Sequence, residues 1–431
     1  MNHYSFLLKQ HMGVPAIAIV KAGDCVKRGE LIAAKASNGI GCNIHSSVSG
    51  KVTCVTPDSI EIVRNNEIET KEYVKLGAET PLGVIEEAGI AGLGGAGFPT
   101  YIKLSKPLRQ NGTVILNAVE CEPILQHNIL MVEKKAREVI HGLQIAMEIV
   151  HADRGRIAIK ENHKEAIEAL KICIARNHSD IGVYQLPDLY PVGEERALIR
   201  EVLGTLLNID QLPLAANAVV INAETAYRIH EAVVERKPFI DKDITVAGKL
   251  KGELIQVFED VPIGTNVGSL IERAGGCSEE YGELIMGGPF TGKRTTMDSP
   301  VVKTTGGILV AETFLKGPQK IGLLVCACGA DRDRLLQISQ DMESEVAGIE
   351  YCKQAQCVNQ AYKCENPGKC PGQVQKVLAL KKAGAQALLI SNCSDCTNTV
   401  MSCAPQLKLP VYHCTDGALR SVNHKLVRRL K

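Results

Sequence analysis

The sequence predicts a multidomain α/β protein, and three observations lead there. The chain has 431 residues, 45% of them hydrophobic and 23% charged, enough for several domains of roughly 100–200 residues with apolar cores. Short β-prone runs broken by glycine turns fill the first 70 residues. After them, helical and buried-strand patterns alternate, and they do so again towards the C-terminus.

In order along the chain, residues 1–70 carry Ala16-Ile-Ala-Ile-Val20, the turn Lys21-Ala-Gly-Asp24 and Glu30-Leu-Ile-Ala-Ala34. A second half at residues 43–52 and 59–63 repeats the pattern, which predicts a small β-sandwich or barrel. Residues 71–240 alternate helical patterns at 131–150 and 164–176 with candidate buried strands at 113–116, 157–159 and 218–221. Residues 241–316 read strand, strand, helix and strand, a β-grasp-like order. Gly317-Pro318 marks a linker, and residues 320–431 read βαβαβα with a parallel sheet.

Composition excludes several functions. With 49 Lys plus Arg against 48 Asp plus Glu, the net charge of +1 argues against a nucleic-acid partner. No apolar run approaches the ~18 residues of a membrane helix, and the N-terminus lacks a signal-peptide layout. The expectation is a cytoplasmic protein with no direct membrane insertion.

Cysteine is the unusual residue. Of 16, six are scattered (Cys25, Cys42, Cys54, Cys121, Cys173, Cys277) and read as buried small hydrophobes. Ten crowd between Cys326 and Cys414, which without a secretion signal points to metal ligation or thiol redox chemistry. Four candidate strands run into Cys326-Ala-Cys328, Cys352, Cys393-Ser-Asp-Cys396 and Cys414. A parallel sheet gathers such ends along one edge, so a thiol-rich edge is predicted. Cys326, Cys328, Cys393 and Cys396, in C-x-C and C-x-x-C pairs, are the candidate redox-active residues. Cys352, Cys357, Cys364, Cys370, Cys403 and Cys414 are the candidate metal ligands. A Zn²⁺ site, an Fe–S cluster and a dithiol relay all suit this inventory. Metal or cluster ranks first, because so many thiols exceed what a dithiol needs. The loose spacing before Cys370-Pro371 excludes a standard eight-iron ferredoxin insert.

The stretch from Gly92 to Thr100 contains G-x-G-x-x-G at Gly92, Gly94 and Gly97. A Rossmann reading fails, since no buried strand precedes it and Pro99 and Pro107 allow only a short helix. Four glycines in this loop still let the backbone approach a ligand and cradle a phosphate, with Lys103 as a nearby cation.

The loop belongs to an ordered set of motifs. Gly92, Gly94, Gly95, Ala96, Gly97, Phe98, Pro99 and Lys103 are followed by Asn117-Ala-Val-Glu-Cys-Glu-Pro123, Tyr190-Pro-Val-Gly-Glu-Glu195 and Asn222-Ala-Glu-Thr225. This set resembles the flavoprotein subunit of respiratory complex I and its RnfC-like relatives, which bind FMN and NADH. The resemblance implies that Gly92, Gly94, Gly95 and Lys103 hold the FMN phosphate and ribityl chain, with Gly97 of the same loop also among the cofactor-binding residues. It implies that Asn117, Glu120, Tyr190, Gly193, Asn222 and Thr225 line the rest of the flavin site. Phe98, Glu194 and Glu195 would lie towards the dinucleotide. Leu93 and Val119 stand where that family commonly has Arg and Asp.

The same resemblance implies an RnfC-like barrel-sandwich hybrid over 1–70, an FMN/NADH-binding α/β domain over 71–240 and an SLBB-like β-grasp module over 241–316. A Cys-rich metal or thiol redox domain over 320–431 would follow. An RnfC-like front with a Cys-rich back most resembles the electron-transfer proteins associated with D-proline reductase. That implies a soluble electron-transfer flavoprotein carrying electrons from NADH through FMN and a C-terminal centre to a partner reductase, D-proline reductase. The alternatives are an RnfC-like electron-transport complex subunit with an iron–sulfur cluster, or a non-catalytic docking subunit with a structural Zn site.

Overall fold

The computed structural model describes residues 3–65, 71–95, 97–175, 180–358 and 361–428. Ala96 of the glycine loop and Arg176, the end of the predicted helix 164–176, lie outside the described residues.

Two small sheets form the N-terminal unit. An antiparallel sheet runs in the order His3–Leu7, Ser59–Arg64, Gly50–Val55, Cys25–Val26. The second runs Ile17–Ala18, Leu31–Ala34, Ile44–His45. Alternation along the strands turns Phe6, Ile32, Val52, Ile60 and Ile62 inwards, all fully buried. The same alternation turns Cys25 and Cys54 outwards, so these two cysteines are exposed and not the buried hydrophobes expected.

A four-stranded parallel sheet follows, ordered Ile181–Leu186, Arg154–Lys160, Thr113–Asn117, Ala218–Asn222. Val114, Leu116, Val219 and Ile221 face helices Ala136–Ile149, Lys164–Ile174 and Ala223–His230. Their neighbours Ile115, Ala158 and Val220 face helix Glu195–Leu203 on the other side. Both faces are covered, as a parallel sheet requires. The single helix expected at 131–150 is two helices, His127–Lys134 and Ala136–Ile149. Lys135 breaks them at φ −125°, and its amine turns to the Tyr227 hydroxyl at 3.0 Å. The edge strand Ile181–Leu186 escapes sequence reading because its middle is half exposed and carries Gly182 and Gln185.

The next unit is a five-stranded sheet in the order Ile255–Pro262, Asp241–Gly248, Gly307–Ala311, Glu283–Met286, Lys293–Thr295, with helix Val267–Arg273 against it. A parallel four-stranded sheet closes the chain, ordered Glu345–Tyr351, Lys320–Val325, Ala387–Ile390, Val411–His413. Helix Arg332–Asp341 covers one face, and Val374–Lys382 and Ser394–Cys403 cover the other.

Charged groups join the units. Arg228, 2% exposed, reaches Glu231 at 2.6 Å and Glu224 and Asp243 at 3.4 and 3.3 Å. Lys242 pairs with Glu224, and Arg28 of the N-terminal unit pairs with Asp241 at 2.6 Å. Between the last two sheets, Arg334 forks onto Glu283 in a buried bidentate pair. No helix among the described residues is long and apolar enough to cross a membrane.

Candidate functional site

The carboxyl ends of the two parallel sheets meet at one cleft of about 450 Å³. From the first sheet come Asn117 and Asn222, the last residues of their strands. From the second come Ala327 and Cys328, just past strand Lys320–Val325. Ligands of open α/β sheets bind at such ends.

Of the residues expected at a cofactor, Gly94, Asn117, Glu120, Tyr190, Gly193, Glu194, Glu195 and Asn222 line this cleft. Gly92, Gly97, Phe98, Lys103 and Thr225 stand behind it, and Gly95 lines a second cavity on the far side of the loop. The loop is pinned by Gly92 N–H donating to the Phe98 carbonyl at 2.7 Å and Leu93 N–H donating to Thr225 Oγ1 at 3.0 Å. Gly94 takes φ +69°, and a Cβ there would stand 2.7 Å from Asn222 Nδ2. Lys103 Nζ does not reach into the cleft; it pairs with Glu195 Oε1 at 2.7 Å and the Val220 carbonyl at 3.1 Å.

The polar walls are tied by hydrogen bonds. Asn117 Nδ2 donates to the Gly193 carbonyl at 2.9 Å and its Oδ1 accepts from Val119 N–H at 3.0 Å. Glu194 caps helix Glu195–Leu203 by accepting from the Arg196 and Ala197 amides, both at 2.9 Å. Asn222 caps Ala223–His230 the same way at 2.8 Å. Glu120 is held by Asn128 Nδ2 at 2.9 Å and Glu122 N–H at 3.1 Å, and burial pushes its pKa up to about 7.

Sequence reading missed three members of this site. Asn128 lines the cleft with Oδ1 buried and without a partner. Cys121, expected to be a packing residue, lines the cleft and accepts from Gly193 N–H at 3.0 Å. Glu122 accepts from the Phe290 amide at 2.7 Å and from the Thr291 amide and hydroxyl at 2.9 and 2.6 Å, tying the five-stranded unit to the cleft. No spacing in the sequence connects residue 122 with 290.

Behind the cleft wall lies the sulfur array. Sγ atoms of Cys326, Cys352 and Cys396 lie within 4.8 Å of one another, all buried. Cys352 and Cys396 are 3.7 Å apart, and Cys370 and Cys396 3.0 Å. Cys393 packs with them, while Cys328 and Cys364 border both array and cleft. The expected division into redox pairs and metal ligands therefore dissolves, because Cys352 and Cys370 share one pocket with Cys326 and Cys396. Hydrogen bonds from Cys326 and Cys396 hold the Cys352 thiol well below the usual thiol range, and one from Cys396 holds Cys370 down to about 6.

Three expected ligands are elsewhere. Cys357 is exposed on the hairpin Ala355–Val358/Ala361–Cys364. Cys403 ends helix Ser394–Cys403, its Sγ on the Val400 carbonyl at 3.4 Å. Cys414 is buried under helix Arg332–Asp341 with Leu335 and Ile338, because its side chain leaves the strand end towards the opposite layer. Three strand ends converge on the array, not four.

Comparison with known proteins gives this architecture a family. Residues 85–231 match the Nuo51 FMN-binding domain, and residues 2–70 match the RnfC barrel sandwich hybrid domain. The chain is 34% identical over 320 residues to a subunit of the proton-translocating ferredoxin:NAD(+) oxidoreductase complex of Clostridium ljungdahlii, covering 70% of this chain and 69% of that protein. The chain belongs to the RnfC family. The corresponding subunit of the Na(+)-translocating ferredoxin:NAD(+) oxidoreductase complex of Acetobacterium woodii is 35% identical over 318 residues, covering 69% of this RnfC-type chain and 71% of its own length. A chain of an NAD+-reducing [NiFe]-hydrogenase aligns with 53% of this chain and 46% of its own at 22% identity, with a TM-score of 0.46. The RnfC-type chain is thus an electron-transport subunit with an FMN-binding domain. D-proline reductase, the partner expected from the sequence, finds no support in these two relatives, which are parts of ferredoxin:NAD(+) oxidoreductase complexes.

Proposed function

We propose that this chain holds FMN in the cleft, takes electrons from NADH there, and passes them through the cysteine-bearing wall to the other subunits of an RnfC-type complex. One observation carries the reading. Cys328 and Cys364 line the same cleft as Gly94, Asn117, Glu120, Tyr190 and Asn222.

The donor set suits a flavin mononucleotide. Bare backbone at Gly94 admits close approach beside Asn222. Asn117, Asn222 and the buried Asn128 Oδ1 match the hydroxyls of a ribityl chain. Lys103, held behind the cleft by Glu195 and the Val220 carbonyl, would serve the phosphate only by leaving that pair. FMN, when bound, supplies hydride acceptance from NADH and release of single electrons.

The remaining work belongs to the chain. Glu120, accepting from Asn128 Nδ2 and the Glu122 amide with its pKa near 7, is a group in the cleft wall that takes up or gives a proton around neutral pH. Tyr190 and Phe290, stacked with ring centroids 3.7 Å apart, exclude water between cleft and sulfurs. Within this reading the chain divides at 1–70, 71–240, 241–316 and 320–431, with the five-stranded unit as an SLBB-like β-grasp module. Cys328 and Cys364, which line the cleft and are separate from the deeper sulfurs, are the electron exit in this reading.

The test is FMN titration of the full-length chain with gel filtration. One FMN per chain is expected to remain bound, with Asn117→Ala and Asn222→Ala weakening retention. A chain that holds no FMN under any loading condition contradicts the proposal.

A further inference from the structure

We propose that Cys326, Cys352, Cys370 and Cys396 bind one thiophilic divalent cation, Zn²⁺ or Fe²⁺, in a tetrahedral site that Gln373 supports. The site stands whether or not the cleft takes FMN, since it uses none of the cleft residues.

The backbone assembles it. Cys326 and Cys352 follow adjacent parallel strands, with Cys352 N–H donating to the Val325 carbonyl at 2.8 Å, so the two thiols leave the sheet side by side. Cys396 enters from the first turn of helix Ser394–Cys403. Cys370 is fixed by its N–H donating to Asp395 Oδ2 at 2.7 Å, and Gly372 N–H approaches its Sγ at 3.4 Å.

The spacing selects a single ion. Zn–S bonds of about 2.3 Å put the thiolates of a tetrahedron about 3.8 Å apart. Cys352 and Cys396 are 3.7 Å apart, and Cys326 lies within 4.8 Å of both. A four-iron cube presents each cysteine to a different iron and holds the sulfurs farther apart. Cys370 and Cys396 stand 3.0 Å apart, closer than the tetrahedral edge, so Cys370 takes the fourth corner by drawing back from Cys396 as the ion enters.

Gln373 is the second, independent observation. It is 1% exposed, and its Nε2 lies 3.2 Å from Cys352 Sγ, 3.2 Å from Cys396 Sγ and 3.4 Å from Cys370 Sγ. An amide pointed at three sulfurs is the outer-shell donor that offsets thiolate charge around a metal. The contact with Gln373 and the approach to Cys396 select Cys370 as fourth ligand; Cys393, which bonds Cys326, Cys396 and Cys328, is the competing corner that the variants below separate.

The experiment uses the full chain purified anaerobically, with zinc, iron, inorganic sulfide and flavin measured in one sample. Expected is one zinc or iron per chain without inorganic sulfide; the metal content separates the two ions. After chelation, added Co²⁺ should give the thiolate-to-metal band of a tetrahedral site. Cys352→Ser and Cys396→Ser should each lower bound metal ~tenfold, and Cys357→Ser and Cys403→Ser should leave it unchanged. Gln373→Leu should weaken Co²⁺ about 10- to 100-fold. Iron with matching inorganic sulfide, a metal-free chain that refuses Co²⁺, or a Cys370–Cys396 disulfide would each overturn the site. Loss of metal in Cys393→Ser with retention in Cys370→Ser would overturn the fourth ligand. Co²⁺ loading of the unmutated chain decides the matter if a variant fails to fold, and the flavin reading stays separate from the metal reading.

Discussion

Tyr190 donates its phenolic hydrogen to the backbone carbonyl of Cys328, joining the Tyr-x-x-Gly-Glu-Glu motif of one parallel sheet to the C-x-C segment of the other. The two sheets are sewn a second time, by Tyr190 N–H to Ser394 Oγ at 3.0 Å and Ser394 N–H to the Tyr190 carbonyl at 3.1 Å. The cleft therefore exists only while these two sheets stay docked.

Tyr190→Phe keeps the stack on Phe290 and removes the hydroxyl, leaving the Cys328 carbonyl short of a donor. A loss of about 1–3 kcal/mol in unfolding free energy is expected from chemical denaturation. Tyr190→Ala should cost more, since the ring contact at 3.7 Å goes as well.

The glycine loop gives a paired prediction. Gly94→Ala must carry φ +69° with its Cβ 2.7 Å from Asn222, whereas at Gly95 a Cβ meets nothing within 4 Å. FMN retention should fall sharply in Gly94→Ala and change little in Gly95→Ala, read as flavin per chain after gel filtration.

Glu120 predicts a pH dependence. Its folded pKa of about 7 lies above the ordinary 4.5, so the folded chain holds this proton more tightly than the unfolded one. Below pH 4.5 both forms are protonated and the group is neutral to stability. Stability then falls as pH rises from 4.5 to 7 and levels off above, by on the order of 3 kcal/mol. Glu120→Gln should flatten that slope in denaturation curves taken across the window.

The ion network beneath the cleft should be intolerant of deletion. Arg228→Ala takes the guanidinium from the buried Asp243 and leaves Glu224 and Glu231 only Lys242 and Lys237, and a loss of about 3–5 kcal/mol is expected. Lys316→Ala, which breaks an exposed pair with Glu343, should cost under about 1 kcal/mol in the same assay.

Much of this was legible in the residues. Runs such as 113–116 and 218–221 announced buried parallel strands because both faces are apolar, and strand-end cysteines announced a thiol edge because parallel strands share a direction. What failed depends on side-chain direction. Cys414 sits at a strand end yet turns to the opposite layer, and Cys25 and Cys54 fall on outward positions of their strands. Glu122 to Phe290 and Gln373 to three sulfurs are contacts between distant segments that no local period encodes. The D-proline reductase expectation rested on overall resemblance alone, and no residue in the site reads for or against it.

The most direct test is anaerobic titration of the FMN-loaded chain with NADH while the visible flavin band is followed. The account predicts bleaching complete at one NADH per flavin, in the parent chain and in Cys328→Ser alike. A flavin that stays oxidised in excess NADH would contradict it.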